Sequence, residues 1–442
     1  MKRNRIFLIL AMLLGAMLAC TIPGNSTKPD AVVGPPKKQV VTLTPASIVD
    51  TDTPPPTITQ NSVPPTITVA APTVTQQAPS PDVLQSQYPS GYVVAAGDQR
   101  SVVIYDLQGQ ALAMVRTPGM SGDSPSSVHV LGSVAGNADN VPVVFINIEN
   151  QGRIMHNLND QLTVFFPGPN VANLKGSLGK NTFTFTKDWR SGDGSAISQL
   201  FVYDPATGNT TLVHEWLDAN STAIFPLAIN SADDANPNEI WFTHRLWGIG
   251  GDIVFPLQEG LFHFDLTGQQ ETMVLTTDFN PVGLSPDQAW VAYVPKDQGY
   301  VEGIEPILTL YDLISGLMVD IPLDSGSDRG AGYAVFSPDN VYAAWMEGSG
   351  QQMALEPNFT SLVRISDKDG NIHANLPVIT LASVTDVVNP TWAKPVGWLD
   401  GEKLIVEIRG DDWNNPALIQ VRFDGSELAY LASGIFAEFV YP

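Results

Sequence analysis

A chain of 442 residues with 45 acidic and 22 basic side chains carries a formal charge of −23, which excludes nucleic acid and anionic lipid surfaces as partners held by charge attraction. A single cysteine excludes a disulfide-stapled scaffold, while 43% hydrophobic and 15% charged residues suffice for a large core. Basic peptides, cations and neutral glycans remain admissible partners.

Residues 1–19 read as an export signal. Lys2, Arg3 and Arg5 precede the apolar run "IFLILAMLLGAMLA", which is too short for a comfortable membrane span, and Ala19 stands before the sole cysteine, Cys20. This ending resembles the bacterial lipobox, with Met17 and Leu18 where that pattern usually has Leu and a small residue. The resemblance implies a lipoprotein acylated on Cys20 and held to the cell membrane or outer membrane on its extracytoplasmic side, the lipid bilayer being its first partner. Residues 20–87 lack aromatic side chains and are crowded with Pro and Thr, as in "TDTPPPTITQNSVPPTITVAAPTVTQQ". Such a segment cannot bury enough apolar surface to offset its ordering entropy and reads as a disordered stalk.

From residue 88 to 442 short apolar runs alternate with turn residues and long helical periodicity is lacking, so the expected class is all-β. "VVIYDLQGQ", "LFVYDPATGN", "LFHFDLTGQ", "LTLYDLISG", "LVRISDKDGN" and "IQVRFDGSE" each run a strand into Asp and then Gly. Asp bonds to the backbone of the turn it opens, and Gly accepts positive φ. The anchors Asp106, Asp204, Asp265, Asp312, Asp367 and Asp424 recur every 47 to 61 residues, with one double interval that holds a degenerate unit, "RIMHNLNDQLTVFF", near Asn159. Seven units of this period predict a seven-bladed β-propeller, with six or eight blades as neighbouring solutions.

A second repeat, "GLSPDQAWVAYV" and "VFSPDNVYAAWM", marks hairpins between the innermost and second strands of two blades. Pro286 and Pro338 preset φ there, and Asp287 and Asp339 satisfy backbone donors. Ala289, Ala292, Ala343 and Ala344 in the second strands permit close approach of neighbouring sheets, and Trp290 and Trp345 fill the wedge between them. "FSPD" followed by "YAAW", with "LYDLISG" closing the blade, resembles the WD40-like repeat of TolB-type periplasmic propellers. That resemblance covers residues 88–442 and implies the propeller fold and binding of proteins or peptides. The family's Gly after the turn Asp is replaced here by Gln288 and Asn340. The first blade counts one strand short, and Ile435 to Tyr441 is left over after the seventh, so the two ends are expected to pair and close the ring.

Catalytic signatures are missing: there is no GxSxG elbow and no HExxH helix. His129, His156, His214, His244, His263 and His373 are scattered over strands and read as satisfied structural residues, although His244 and His263 are able to meet across one hairpin. "SDKDGN" has the early but not the later ligands of a calcium loop and reads as a turn. No metal or cofactor site is expected. Long loops join second and third strands in blades three to seven, whereas "GDQRS" and "NQGR" serve the first two. On those long loops stand Trp189, Asp193, Trp247, Asp252, Tyr300, Glu302, Asp411, Asp412 and Trp413, aromatic faces beside carboxylates that suit sugar stacking or capture of Lys and Arg. The expectation is a non-catalytic binding module for an envelope or extracellular protein, peptide or glycan. Two alternatives stay open: an envelope spacer, and a polysaccharide lyase or glycosidase using Asp193, Asp252, Glu305 or Asp411 as funnel acids.

Overall fold

The computed structural model describes residues 88–95, 101–116, 125–131, 143–148, 153–156, 162–166, 171–176, 183–190, 195–204, 209–218, 222–231, 237–246, 254–296, 307–324, 329–349, 359–413 and 415–441. Among the described residues there are seven four-stranded antiparallel sheets, and successive sheets pack against each other in chain order as the blades of a propeller. Their innermost strands are Ile435–Val440 for blade 1 and, for blades 2 to 7, Pro125–Leu131, Val171–Gly176, Thr222–Ser231, Phe279–Leu284, Arg329–Phe336 and Trp392–Trp398. Blade 1 is closed by the two ends of the propeller: Ile435–Val440 lies antiparallel to Gly91–Ala95, pairing Phe439 with Tyr92 and Ile435 with Ala95.

The turn chemistry read from the repeat is local, and the two Ser-Pro-Asp hairpins build it identically. In the first, Ser285 Oγ donates to Asp287 Oδ1 at 2.6 Å, while the backbone N–H of Ala289 donates to Asp287 and that of Trp290 to Ser285 Oγ. In the second, Ser337 Oγ donates to Asp339 at 2.6 Å and Tyr342 N donates to Ser337 Oγ at 3.0 Å. Gln288 and Asn340 both take the left-handed conformation, at φ 59° and 55°, so the Gln performs a turn that Gly would adopt without strain. Its side-chain amide exchanges hydrogen bonds with Asn230 of blade 4, which holds the strained residue in place. Ala289 sits in the turn ahead of the second strand Trp290–Pro295, not inside that strand as the pattern suggested.

Between third and fourth strands the Asp anchors work the same way. Asp106 accepts from the N–H groups of Gln108 and Gln110, and Asp367 from those of Asp369 and Asn371. Donors from Gly268 and Thr267 hold the Asp265 carboxyl below the usual carboxylate range, and Ser426 does so for Asp424. Asn159 lies outside the described residues, but the strands on either side of it, Arg153–His156 and Leu162–Phe166, are paired.

The cores lie between blades. Trp290, Ala292 and Leu310 of blade 5 pack with Ala334, Ala343 and Trp345 of blade 6, and Trp345 is fully buried. One such interface carries a buried charge. Asp188 of blade 3 accepts from Ser198 Oγ at 2.6 Å, from Thr186 Oγ1 at 3.0 Å and from Asn173 Nδ2 at 3.2 Å, and Ser198 Oγ in turn accepts the N–H of Ile224 in blade 4. Burial pushes the Asp188 carboxyl up to about 6, outweighing the lowering by Ser198 and Thr186. Since the folded chain then holds this proton more tightly than the unfolded chain, its contribution favours folding at low pH and is lost as pH rises through about 6. Stability curves for Asp188→Asn and the parent, measured between pH 4 and 7, should diverge in the variant's favour by about 2 kcal/mol. A difference that does not change with pH would contradict this assignment.

The helical residues Val378–Leu381 and Ala382–Val384, in the connection from blade 6 to blade 7, have no counterpart in the sequence reading.

Candidate binding cavity

Every innermost strand is interrupted by a β-bulge opposite its second strand. The register jumps between Pro226 and Ala228, Pro281 and Gly283, Gly332 and Val335, Pro395 and Gly397, and Glu438 and Phe436, with similar jumps in blades 2 and 3. A bulge leaves one residue without a partner and re-aims its side chain. Here the extra residues Leu227, Val282, Tyr333, Val396 and Ala437 all line one cavity of about 750 Å³ between the innermost strands. Pro precedes the bulge in four blades, as Pro125, Pro226, Pro281 and Pro395, because the innermost strand is an edge, where a missing N–H costs no ladder bond. "PLA", "PVG" and "PVG" at 226, 281 and 395 are therefore a third repeat that marks the cavity wall.

Blade 6 departs from that repeat. Where blades 2, 4, 5 and 7 have Pro, it has Tyr333 with φ of 54°, a conformation that is costly for a bulky side chain. The Tyr333 hydroxyl donates to the carbonyl of Val254 at 2.7 Å, and Lys394 Nζ of blade 7 stands 5.3 Å from the ring centroid. Arg245 of blade 4 lies over the Phe225 ring at 4.9 Å; burial lowers its pKa from the ordinary arginine value, and the nearby Tyr333 opposes that shift. Arg245 also pairs in register with Gln258, whose side chain is 9% exposed, lines the cavity and has an Oε1 with no hydrogen-bond partner.

On the loop face the segment Val254–Pro256 from blade 4 reaches past blade 5 to blades 6 and 7. Asn280 of blade 5 fixes it by donating to the Pro256 carbonyl at 3.0 Å. Phe255 packs so closely on Gly332 that a Cβ there would come within 2.3 Å of its ring, which explains the glycine. Val254, Phe255, Met346, Phe359 and Trp392 form a buried cluster, and Trp413 packs against it edge-on to Trp392 at 5.4 Å. Arg409 then lies over the Trp413 ring and donates to its carbonyl.

Of the rim residues expected from sequence, Trp189, Asp411, Asp412 and Trp413 are described, whereas Asp193, Trp247, Asp252, Tyr300 and Glu302 lie outside the described residues, as does Glu305. Trp189 pairs in register with Ile197 at the loop end of blade 3. Asp411 and Asp412 are exposed, Asp411 accepting from Asn389 Nδ2 at 2.7 Å. Asp411 is not among the cavity-lining residues.

The histidines depart from the expectation of satisfied structural residues at one position, His244. His263 meets Glu239 at 2.7 Å and His373 meets Asp367 at 3.3 Å, as satisfied residues do. His244 does not meet His263; it is buried against Trp216 at 3.8 Å between ring centroids, and its Nε2 has no partner. Burial, with His214 nearby, drives its pKa down to about 4, so it is neutral at physiological pH.

No protein-family model matches this chain, and none of the curated proteins matches it. Several solved structures share its architecture at low identity. An oligogalacturonate lyase from Vibrio parahaemolyticus is 10% identical with a TM-score of 0.42 over 69% of this chain and 84% of that one. The putative TolB from Agrobacterium tumefaciens is 14% identical with a TM-score of 0.34 over 80% and 91%. Prolyl oligopeptidase B from Galerina marginata is 9% identical with a TM-score of 0.43 over 81% and 53%. The chain is a β-propeller protein, and that assignment stands on its seven sheets.

Proposed function

We propose that this chain is a membrane-tethered, extracytoplasmic binding module of the TolB-like kind, acylated on Cys20, spaced from the bilayer by residues 20–87, and taking its ligand into the central cavity from the loop face. The observation that carries the reading is the convergence of the bulges. Five innermost strands each bring an extra residue to the wall of one preformed space, and one of these, Tyr333, is held in a strained conformation by neighbouring blades. A volume of about 750 Å³ is in the range of small-molecule sites. Trp189, Asp411 and Asp412 stand at the loop end as contacts for the bulkier part of a ligand, while Trp413 serves as an anchor for its own loop. An enzyme reading is less favoured, because the one nominated acid that is described, Asp411, points its carboxylate to Asn389 and not to the cavity.

Equilibrium dialysis of the full chain in detergent against a small-molecule envelope extract, read by mass spectrometry, tests the cavity. The parent should enrich a compound that Ala437→Trp and Val396→Trp, which fill the space from the innermost strands of blades 1 and 7, do not retain. Equal enrichment by parent and by a folded filled variant, or none by any, would overturn the reading. For the anchor, Cys20→Ser should leave the membrane fraction or keep its signal uncut; a variant that still takes up radioactive fatty acid would refute acylation at this position.

A further inference from the structure

We propose that the central cavity selects a small-molecule oxyanion, carboxylate or phosphate, which Arg245 and Lys394 grip from either side of Tyr333 while Gln258 supplies the amide contact. This inference rests on the cavity being the binding site and adds the chemistry of its ligand.

The first argument is charge. Acids outnumber bases two to one in this sequence, yet the described cavity lining contains Lys175, Arg245 and Lys394 and not one Asp or Glu. The local field therefore opposes that of the molecule as a whole, which a general scatter of surface charge would not produce. The second argument is pairing. Among the described residues Lys296, Arg329, Arg364, Arg409 and Arg422 stand in ion pairs, while Lys187, Lys368 and Lys403, outside the cavity, are in none of the described ones. Arg245 and Lys394 are in none of those described pairs; their neighbours are the Phe225 and Tyr333 rings. A cation resting on an aromatic face keeps its N–H donors at the ring's rim available, and a guanidinium presents two of them in the geometry that carboxylate and phosphate oxygens match.

The third argument is independent of charge. Gln258 lines the cavity beside Arg245, is nine-tenths buried, and has an Oε1 with no hydrogen-bond partner, so its amide is not committed to the protein at that atom. The strained Tyr333 completes the arrangement, since its hydroxyl bond to Val254 fixes the ring against which Lys394 lies. The aromatic and apolar bulge residues farther along the wall leave room for an uncharged remainder, such as a sugar or alkyl portion.

The test is calorimetric titration of the full chain in detergent, at fixed ionic strength, with tricarballylate, with inositol hexakisphosphate and with uncharged inositol. One anion should saturate a single site while inositol gives no heat; tricarballylate alone identifies a carboxylate ligand and the hexakisphosphate alone a phosphate. Arg245→Gln/Lys394→Gln should weaken that binding about 10- to 100-fold, as expected for the loss of two charge-assisted contacts, with the melting temperature lowered by only a few degrees, since what the fold loses is two cation–π contacts and no described ion pair. Failure of both anions to saturate, or equal affinity of parent and double variant, would overturn the proposal. Should Ala437→Trp abolish retention of an uncharged envelope compound while neither anion binds, the cavity stands as a binding site and the oxyanion assignment alone falls.

Discussion

Truncation of the chain before Ile435 is expected to unfold the propeller or lower its melting temperature by on the order of 10 °C or more. The eight residues removed supply the innermost strand of blade 1, so the ring loses its closure and Gly91–Ala95 becomes an open edge. Phe439 is lost with them. It is buried with Tyr92, Leu399 and Leu418, and removal of a buried Phe side chain alone costs about 3–5 kcal/mol. Polar groups are stranded too: Phe436 N donates to the buried Glu407 carboxylate at 3.0 Å, and Ser90 N donates to the Val440 carbonyl at 2.7 Å. Gly397 was shaped for this contact, since its φ of 153° and a Cβ position 2.1 Å from the Phe439 ring admit no side chain. Deleting residues 21–87 removes none of these interactions and should shift the melting temperature by about 2 °C at most. Thermal unfolding of the two deletion variants beside the full chain decides the matter; similar values for the two would show that closure is not what holds the ring.

The closure and the blade repeat were legible because their information is local. Ser-Pro-Asp and Asp-Gly turns announce themselves within five residues, and counting strands between them leaves one gap and one spare segment. The cavity was not legible in the same way. Which residue of "FPLAIN" or "KPVGW" faces the axis depends on a bulge, and a bulge exists only in the pairing of one strand with its neighbour. Tyr333 reads as an ordinary strand aromatic in "GYAVFSPD" until its alignment with Pro281 and Pro395 shows a substitution at the bulge. Loop aromatics mislead for the opposite reason. Trp413 was expected on the rim because its loop is long, but the buried cluster around Trp392 offers it a packing surface contributed by blades 4 and 6, which no local pattern records. Charge was legible in sum but not in place: a total of −23 says nothing about three cations drawn to one axis.

Glu347→Ala should destabilise the chain by about 3–5 kcal/mol, the effect of leaving a buried charge without its partner. Glu347 is fully buried in the second strand of blade 6, where Oε1 accepts from Arg364 Nη1 at 2.7 Å and from the Trp345 indole at 3.2 Å, and Oε2 accepts the N–H of Asp324 at 3.0 Å. Arg364 is itself only 8% exposed, and its one remaining described acceptor is the Pro322 carbonyl at 2.8 Å. Desolvating both ions costs much of what their attraction returns, so the pair adds little net stability compared with an apolar one, yet either ion alone is severely unfavourable. That asymmetry gives the expectation its second half. Glu347→Leu combined with Arg364→Met should recover part of the loss, because both replacements fill the vacated volume without burying a charge; the cost that persists is that the Asp324 N–H and the Trp345 indole lose the carboxylate they donate to, up to about 1–3 kcal/mol for each. Chemical denaturation of parent, single and double variants measures the coupling directly. A Glu347→Ala loss below about 1 kcal/mol would mean that water reaches Arg364 and that this interface is not the dry one its exposures describe.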